Sequence, residues 1–119
     1  MYVDGFVVPV PKKKIGAYRR MAARAGKVWM EYGALEFREC SADDVKPGKV
    51  TSFPQSVKLK RGETVFFSWI VYKSRKHRDQ VLKKVMADQR IAEAMKDGND
   101  IPFDAKRMIH GGFKVIVDL

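Results

Sequence analysis

"TVFFSWIVYKSRKHRDQVLKKVM", residues 64 to 86, changes its period halfway along, and that change decides the fold. Its first nine residues are, Ser68 apart, β-branched or aromatic, and they are apolar at odd and even positions alike, as in a strand buried on both faces at the centre of a sheet. Ser74 is then suited to cap a helix, in which Val81, Leu82, Val85 and Met86 fall in phase. Ile91, Ala92 and Met95 continue the pattern slightly out of phase. One helix is therefore expected from about Arg75 to Lys96, with a break near Asp88 and a stop at Gly98.

The flanking segments repeat this strand-to-helix order. Val3 to Val8 reads as a first strand that Pro9 and Pro11 end. Ile15, Tyr18, Ala22, Ala25, Trp29 and Tyr32 recur in steps of three and four on one helix face, and Gly33 stops that helix. "ALEFREC", Ala34 to Cys40, sets Leu35 and Phe37 against Glu36 and Arg38 with the period of a half-covered strand. Residues 41 to 63 hold no period and read as a long loop, with one helical turn expected at "SADDV". The last strand is expected from Lys106 to Asp118, bent at Gly111-Gly112, after a turn-rich "NDIPFD". The order β-α-β, loop, β-α-β predicts an α+β fold, ferredoxin-like βαββαβ with a four-stranded antiparallel sheet, in one domain over residues 1–119.

Parity along the strands sorts the residues into two rows. Val3, Val7, Leu35, Phe37, Val65, Phe67, Trp69, Val71, Phe113, Val115 and Val117 are all apolar and are expected under the helices. The other row mixes Asp4, Phe6, Val8, Glu36, Arg38, Cys40, Phe66, Ser68, Ile70, Tyr72 and Ile116. It is expected to meet the sheet of a second copy, with a few polar groups in a mostly apolar space suited to a small ligand. The pocket candidates on that row are Asp4, Phe6, Arg38, Ser68, Tyr72 and His110, with Asp4 and Arg38 as an expected ion pair.

The formal charge of +10 concentrates on the first helix and its approach, where Lys12, Lys13, Lys14, Arg19, Arg20, Arg24 and Lys27 are opposed by Glu31. Arg20, Arg24 and Lys27 share one helix face and, with Arg107 beside the Gly-Gly step, are the candidate anion contacts. No aromatic residues are interleaved to stack bases, so nucleic-acid binding through this face would be weak and salt-sensitive. A polyanion-binding module and a non-catalytic interaction protein are the alternatives to a ligand-binding protein.

A lone cysteine, Cys40, excludes an intramolecular disulfide framework. Cys40, His77 and His110 fall on three elements without CxxC or HExxH spacing, so neither a metal nor another cofactor is expected. The longest apolar run, "VFFSWIVY", is far shorter than the roughly 20 residues of a membrane span. "MYVDGFVVPV" lacks the basic start of a signal peptide. A cytoplasmic protein is the expectation.

"FSWIVYKSRKHRD" (Phe67 to Asp79), "VMADQR" (Val85 to Arg90), "PFDAKRMIHGGF" (Pro102 to Phe113) and the opening "MYVDGFVVPVP" together resemble the YbaA-like family of small bacterial proteins of unknown function. Gln89 stands where the family pattern places a proline, and His110 where it places an aromatic residue. The resemblance implies membership of the dimeric α/β-barrel superfamily, ferredoxin-like protomers whose sheets close against each other. That superfamily includes cofactor-independent monooxygenases and haem-degrading enzymes. It implies a homodimer and a possible oxygenase-like or isomerase-like activity, without assigning either to particular residues.

Overall fold

A computed structural model describes residues 1–96 and 101–119, and every side chain among them except those of Met95 and Lys96. The strands are β1 (Tyr2–Pro11), β2 (Glu36–Ser41), β3 (Glu63–Tyr72) and β4 (Ile109–Lys114). The helices are α1 (Ile15–Glu31), α2 (Phe53–Ser56), α3 (Arg75–Met86) and α4 (Gln89–Lys96), and a 3-10 turn over Lys12–Lys14 leads into α1. The strands lie in the order β2-β3-β1-β4 with every neighbour antiparallel, the ferredoxin-like arrangement.

β3 is central, paired to β1 along its whole length and to β2 over half of it, which is why it is apolar on both faces. The Ser74 side chain caps α3 by accepting the His77 N–H at 3.1 Å. The expected break falls between α3 and α4, where Asp88 accepts the Arg90 N–H at 2.9 Å and so caps the new helix. Gly33 follows α1 with φ +110°, a left-handed conformation that favours glycine. Gly98, Asn99 and Asp100, read as a helix stop and turn, lie outside the described residues.

Several boundaries differ from expectation, each for a local reason. β1 runs through Pro9 to Pro11 instead of ending at Pro9. Lys12 N–H points to Gly62 O on the β3 side at 2.8 Å, so by strand alternation Pro9 and Pro11 turn their missing N–H toward the β4 side. β4 pairs with β1 only as far as Val7, and no bond is lost there. The helical turn in the long connection forms at Phe53–Ser56 under a Ser52 cap, with a proline in its first turn, and not at "SADDV". β4 is shorter than Lys106 to Asp118, because Asp104 draws the Lys106, Arg107 and Met108 N–H groups into a turn. Beyond Lys114, the Val115 N–H still bonds Met1 O, but Val115 is only half-buried and Val117 is exposed, contrary to expectation.

The larger correction concerns the faces. The helices cover the β1 and β3 members of the mixed row, with Val8, Val10, Phe66, Ile70 and Tyr72 buried against Tyr18, Ala22 and Val28 of α1 and Val81 and Val85 of α3. Its β2 members Glu36, Arg38 and Cys40 lie on the other face, opposite Val71, Trp69 and Phe67, and Ile116 is exposed. Asp4 and Ser68 are buried with them. Of the row expected under the helices, Phe37 alone is clearly there, packed on α1 at Gly26. Val7 and Val65 are covered from the opposite side by Val57 and Leu59 of the long connection. Val3, Phe67, Trp69, Val71, Ile109 and Phe113 line an open apolar face, with Phe67, Ile109 and Phe113 exposed.

Arg107 ties these parts together. Its guanidinium reaches both carboxylate oxygens of Glu63, at 2.8 and 2.6 Å, and donates to Asp104 at 2.8 Å and to the carbonyls of Val57 and Lys58. The residue read as an anion contact is therefore a clamp between the long connection and the approach to β4.

Candidate functional site

Two carboxylates face the helices from the sheet. Asp4, on β1, is met by Arg78 of α3, whose guanidinium donates to Oδ1 at 2.7 Å. Arg78 also donates to Asp79 at 2.8 Å and lies 4.9 Å from the centre of the Tyr2 ring. The Tyr72 hydroxyl joins the group, accepting from Trp29 Nε1 at 3.1 Å close to the Asp4 carboxylate, whose charge it feels. Burial raises the Asp4 carboxyl above its ordinary proton affinity, while Arg78, Tyr72 and the nearby His110 pull it back. Burial next to the Asp4 charge also raises the Tyr72 phenol. α1, α3, β1 and β3 all contribute, so this network holds the helix layer on the sheet.

The second carboxylate, Glu39, sits on β2 directly opposite Ser68. Tyr18 of α1 donates its hydroxyl to Glu39 Oε1 at 2.7 Å, and the Ser68 hydroxyl on the neighbouring strand also lowers the carboxyl's proton affinity. Among the described residues, no lysine, arginine or histidine comes within ion-pair distance of Glu39. Burial raises its proton affinity, and the two hydroxyls offset that only in part. The Tyr18 phenol is raised too, by its own burial and by the adjacent Glu39 charge.

Glu39 also lies on a groove of about 1010 Å³ between α1 and the edge strand β2. The walls are Ile15, Tyr18, Ala22, Ala23, Gly26 and Met30 of α1 against Phe37, Phe66 and Ser41 of the sheet, with Arg19, Lys27 and Glu31 at the rim. Gly26 makes the close approach possible. A Cβ at that position would lie 2.8 Å from the Phe37 ring, so any larger residue would push the ring from its present place against α1.

Of the residues singled out from sequence, Asp4, Phe6, Ser68, Tyr72 and His110 share the helix-covered face. Phe6 pairs with Ser68 and with His110 in the strand register. His110 is exposed and stacks on Phe6 with ring centres 6.0 Å apart. Arg38 is on the other face, opposite Trp69. It meets Glu36 at 3.8 Å and does not pair with Asp4, the role Arg78 fills from 74 residues away. Arg20 and Arg24 line a second cleft of about 610 Å³, between α1 and α4, and Lys27 borders both clefts. His77 is at the start of α3, where Nδ1 accepts the Lys73 N–H at 3.0 Å, and Cys40 is half-buried opposite Phe67. Glu39 and Tyr18 were missed. Glu39 stands in neither expected row, although it follows Phe37 by two residues on the same side of the strand, Tyr18 reads as an apolar-face residue of the first helix, and no short-range motif joins them.

The sheet order and the helix layer define a ferredoxin-like α+β protein. The chain belongs to the DUF1428 family, described as a protein of unknown function, whose profile matches residues 1–105. "Uncharacterized protein YbaA" of Escherichia coli (strain K12) is 52% identical over 117 residues, spanning 98% of this chain and 97% of that one. The protein of the same description from Shigella flexneri matches to the same extent. Among solved structures, an uncharacterized NIPSNAP domain protein from Burkholderia xenovorans superposes with TM-score 0.61 and 16% identity, over 97% of this chain and 94% of that one. Protein Atu4242 from Agrobacterium tumefaciens gives TM-score 0.58 and 12% identity, over 96% and 92%. At these identities the solved structures share the fold alone.

Proposed function

We propose that the protein binds a small molecule in the groove between α1 and β2, and that it works as a homodimer, a dimeric α/β barrel closed through the open sheet face. The observation that carries the binding reading is Glu39. It is a carboxylate with a neutral hydroxyl partner in Tyr18, raised proton affinity and a groove above it, while the other carboxylate under the helices is matched by an arginine. A group in that setting can take a proton from a bound molecule and return it, with Tyr18 holding the carboxylate in place. The oxygenase-like and isomerase-like activities implied by the family resemblance both open with removal of a proton from an activated substrate. Glu39 is the residue assigned that step.

The dimer rests on the exposed row of Phe67, Ile109 and Phe113, beside Trp69 and Val71. An apolar sheet face of this kind is normally covered, and a second copy of the same face is the simplest cover. Sedimentation is expected to give a dimer at micromolar concentration, and Phe113→Glu a monomer. A wild-type monomer across that range would refute the barrel.

The binding reading is tested by two-dimensional NMR against a library of small organic acids and phenols. Shifts are expected at Tyr18, Ala22, Gly26, Phe37 and Glu39. A map confined to Arg20 and Arg24, obtained with nucleic acid and erased by about 200 mM salt, would instead favour the polyanion module.

A further inference from the structure

We propose that the groove selects a flat molecule carrying a hydroxyl or similar weakly acidic X–H group at one end and a carboxylate at the other, the X–H donating to Glu39 and the carboxylate meeting Lys27. This deepens the proposed function and depends on the groove being the binding site.

Shape argues first. α1 presents Ala22, Ala23 and Gly26 to the groove, and the sheet presents the Phe37 and Phe66 rings. The space at Gly26 is filled by the Phe37 ring, and it is beside the small Ala22 and Ala23 side chains that the groove keeps room for a planar apolar body. The Phe37 ring lies against the helix backbone at Gly26 and is further packed by Trp29 at 6.0 Å between ring centres, so that wall is firm.

Polarity fixes the inner end. Oε1 of Glu39 already accepts from Tyr18, and a carboxylate has about four acceptor positions. With the Tyr18 bond made, acceptor capacity remains on the groove side, and no cation among the described residues consumes it. A ligand group placed there must donate. An anionic group would meet like charge.

Charge fixes the outer end. Glu39 and Phe37 are two residues apart on β2 and point the same way, a run of about 7 Å. A body lying from Glu39 along the Phe37 ring therefore ends near Gly26, where Lys27 is exposed at the rim. The rim's acid, Glu31, is already held by Arg90 at 2.6 Å, so its charge is met. Lys27 has no ion-pair partner among the described residues. An anion at that end gains an ammonium contact, which neither a neutral nor a cationic tail would.

The test uses three fluorescent probes on the full chain, read by anisotropy: 6-hydroxy-2-naphthoate, 2-naphthol without the carboxylate, and 2-naphthoate without the hydroxyl. The complete probe is expected to bind about tenfold more tightly than either truncated one, the size of one charge-assisted hydrogen bond. Lys27→Met should remove the advantage over 2-naphthol and leave 2-naphthol binding unchanged. Glu39→Ala should remove the advantage over 2-naphthoate. Lys27 is exposed, so its variant reports even if the Glu39 variant is unstable. Equal affinity for the complete probe and 2-naphthol, unaltered by Lys27→Met, overturns the inference and leaves the groove as binding site. No binding by any probe also overturns it, while the NMR map judges the groove separately. Unchanged binding to Ala23→Trp, which fills the slot from an exposed helix position, would place the probe elsewhere and refute both.

Discussion

Asp4 and Glu39 lie on the same face of one sheet beneath the same helices, yet their surroundings differ in kind. Asp4 is enclosed by Arg78, Tyr72 and Tyr2, with a 2.7 Å ion pair and side chains largely shut off from solvent. Glu39 has the Tyr18 hydroxyl, Ser68 across the register and a groove. A buried charge with a matched cation is saturated and serves the fold, whereas one stabilised only by neutral donors still has capacity for a ligand or a proton. The contrast separates a structural carboxylate from a chemically available one.

The comparison breaks most visibly at Arg78. Arg78→Met leaves Asp4 enclosed without its cation, and the expected loss is about 3–5 kcal/mol in urea unfolding, the range for one partner removed from a buried pair. A loss below about 1 kcal/mol would mean that water reaches Asp4 freely, and the two carboxylates would no longer be distinct. Tyr72→Phe comes next. It strips a hydroxyl that is fully buried and leaves Trp29 Nε1 without its acceptor, so about 1–3 kcal/mol should be lost in the same assay.

On the groove side, the expected effects are smaller because less is enclosed. Gly26→Ala gains about 1 kcal/mol of helix propensity but drives a methyl into the Phe37 ring, a clash of about 1–3 kcal/mol. The net expectation is a loss of about 1 kcal/mol with a displaced Phe37, visible as a changed aromatic methyl and ring spectrum. A net gain would show that the ring moves freely and that the groove wall is soft.

The order of elements was legible in the sequence because each depends on local signals: the two-sided apolar run of β3, the Ser74 cap, the phase slip at Asp88. Which residues share a face was legible along each strand, since β pleating alternates strictly, but not between strands: parity groups Glu36, Arg38 and Cys40 with Ser68 and Ile70, whereas the register sets Glu39 and Phe37 opposite those two residues. Which face the helices cover was not. Parity sorts residues but carries no label for inside, and a wholly apolar row next to a mixed one invites the assumption that the apolar row is the core. The reverse holds here because the polar members of the mixed row find partners on distant elements, Arg78 for Asp4 and Tyr18 across the Glu39–Ser68 pair. Those partners are set by tertiary packing over separations of 74 and 21 residues, beyond any window of periodicity. The same limit explains Glu39. As one of two glutamates on a half-covered strand, it differs from the exposed-face Glu36 only in phase.

The finest test of the contrast is Glu39→Gln, followed as unfolding free energy against pH. Glutamine keeps the shape and still accepts from Tyr18, but it cannot ionise. Since burial raises the Glu39 proton affinity in the folded chain, the protonated form contributes stability that is complete below the unfolded glutamate value of about 4.3 and is lost as pH rises through the folded value. Asp4 acts in the same direction, and the carboxyls of Glu63 and Asp104, lowered mainly by Arg107, act in the opposite one. All of these are common to wild type and variant and cancel in the difference. The variant should therefore match wild type at pH 4 and below and become the more stable of the two, by less than about 1 kcal/mol, as pH approaches neutrality. The opposite sign, a variant weaker at pH 7 than at pH 4, would mean that ionised Glu39 is held by a cation in solution. Glu39 would then be a second Asp4, and the groove would have lost its reactive group.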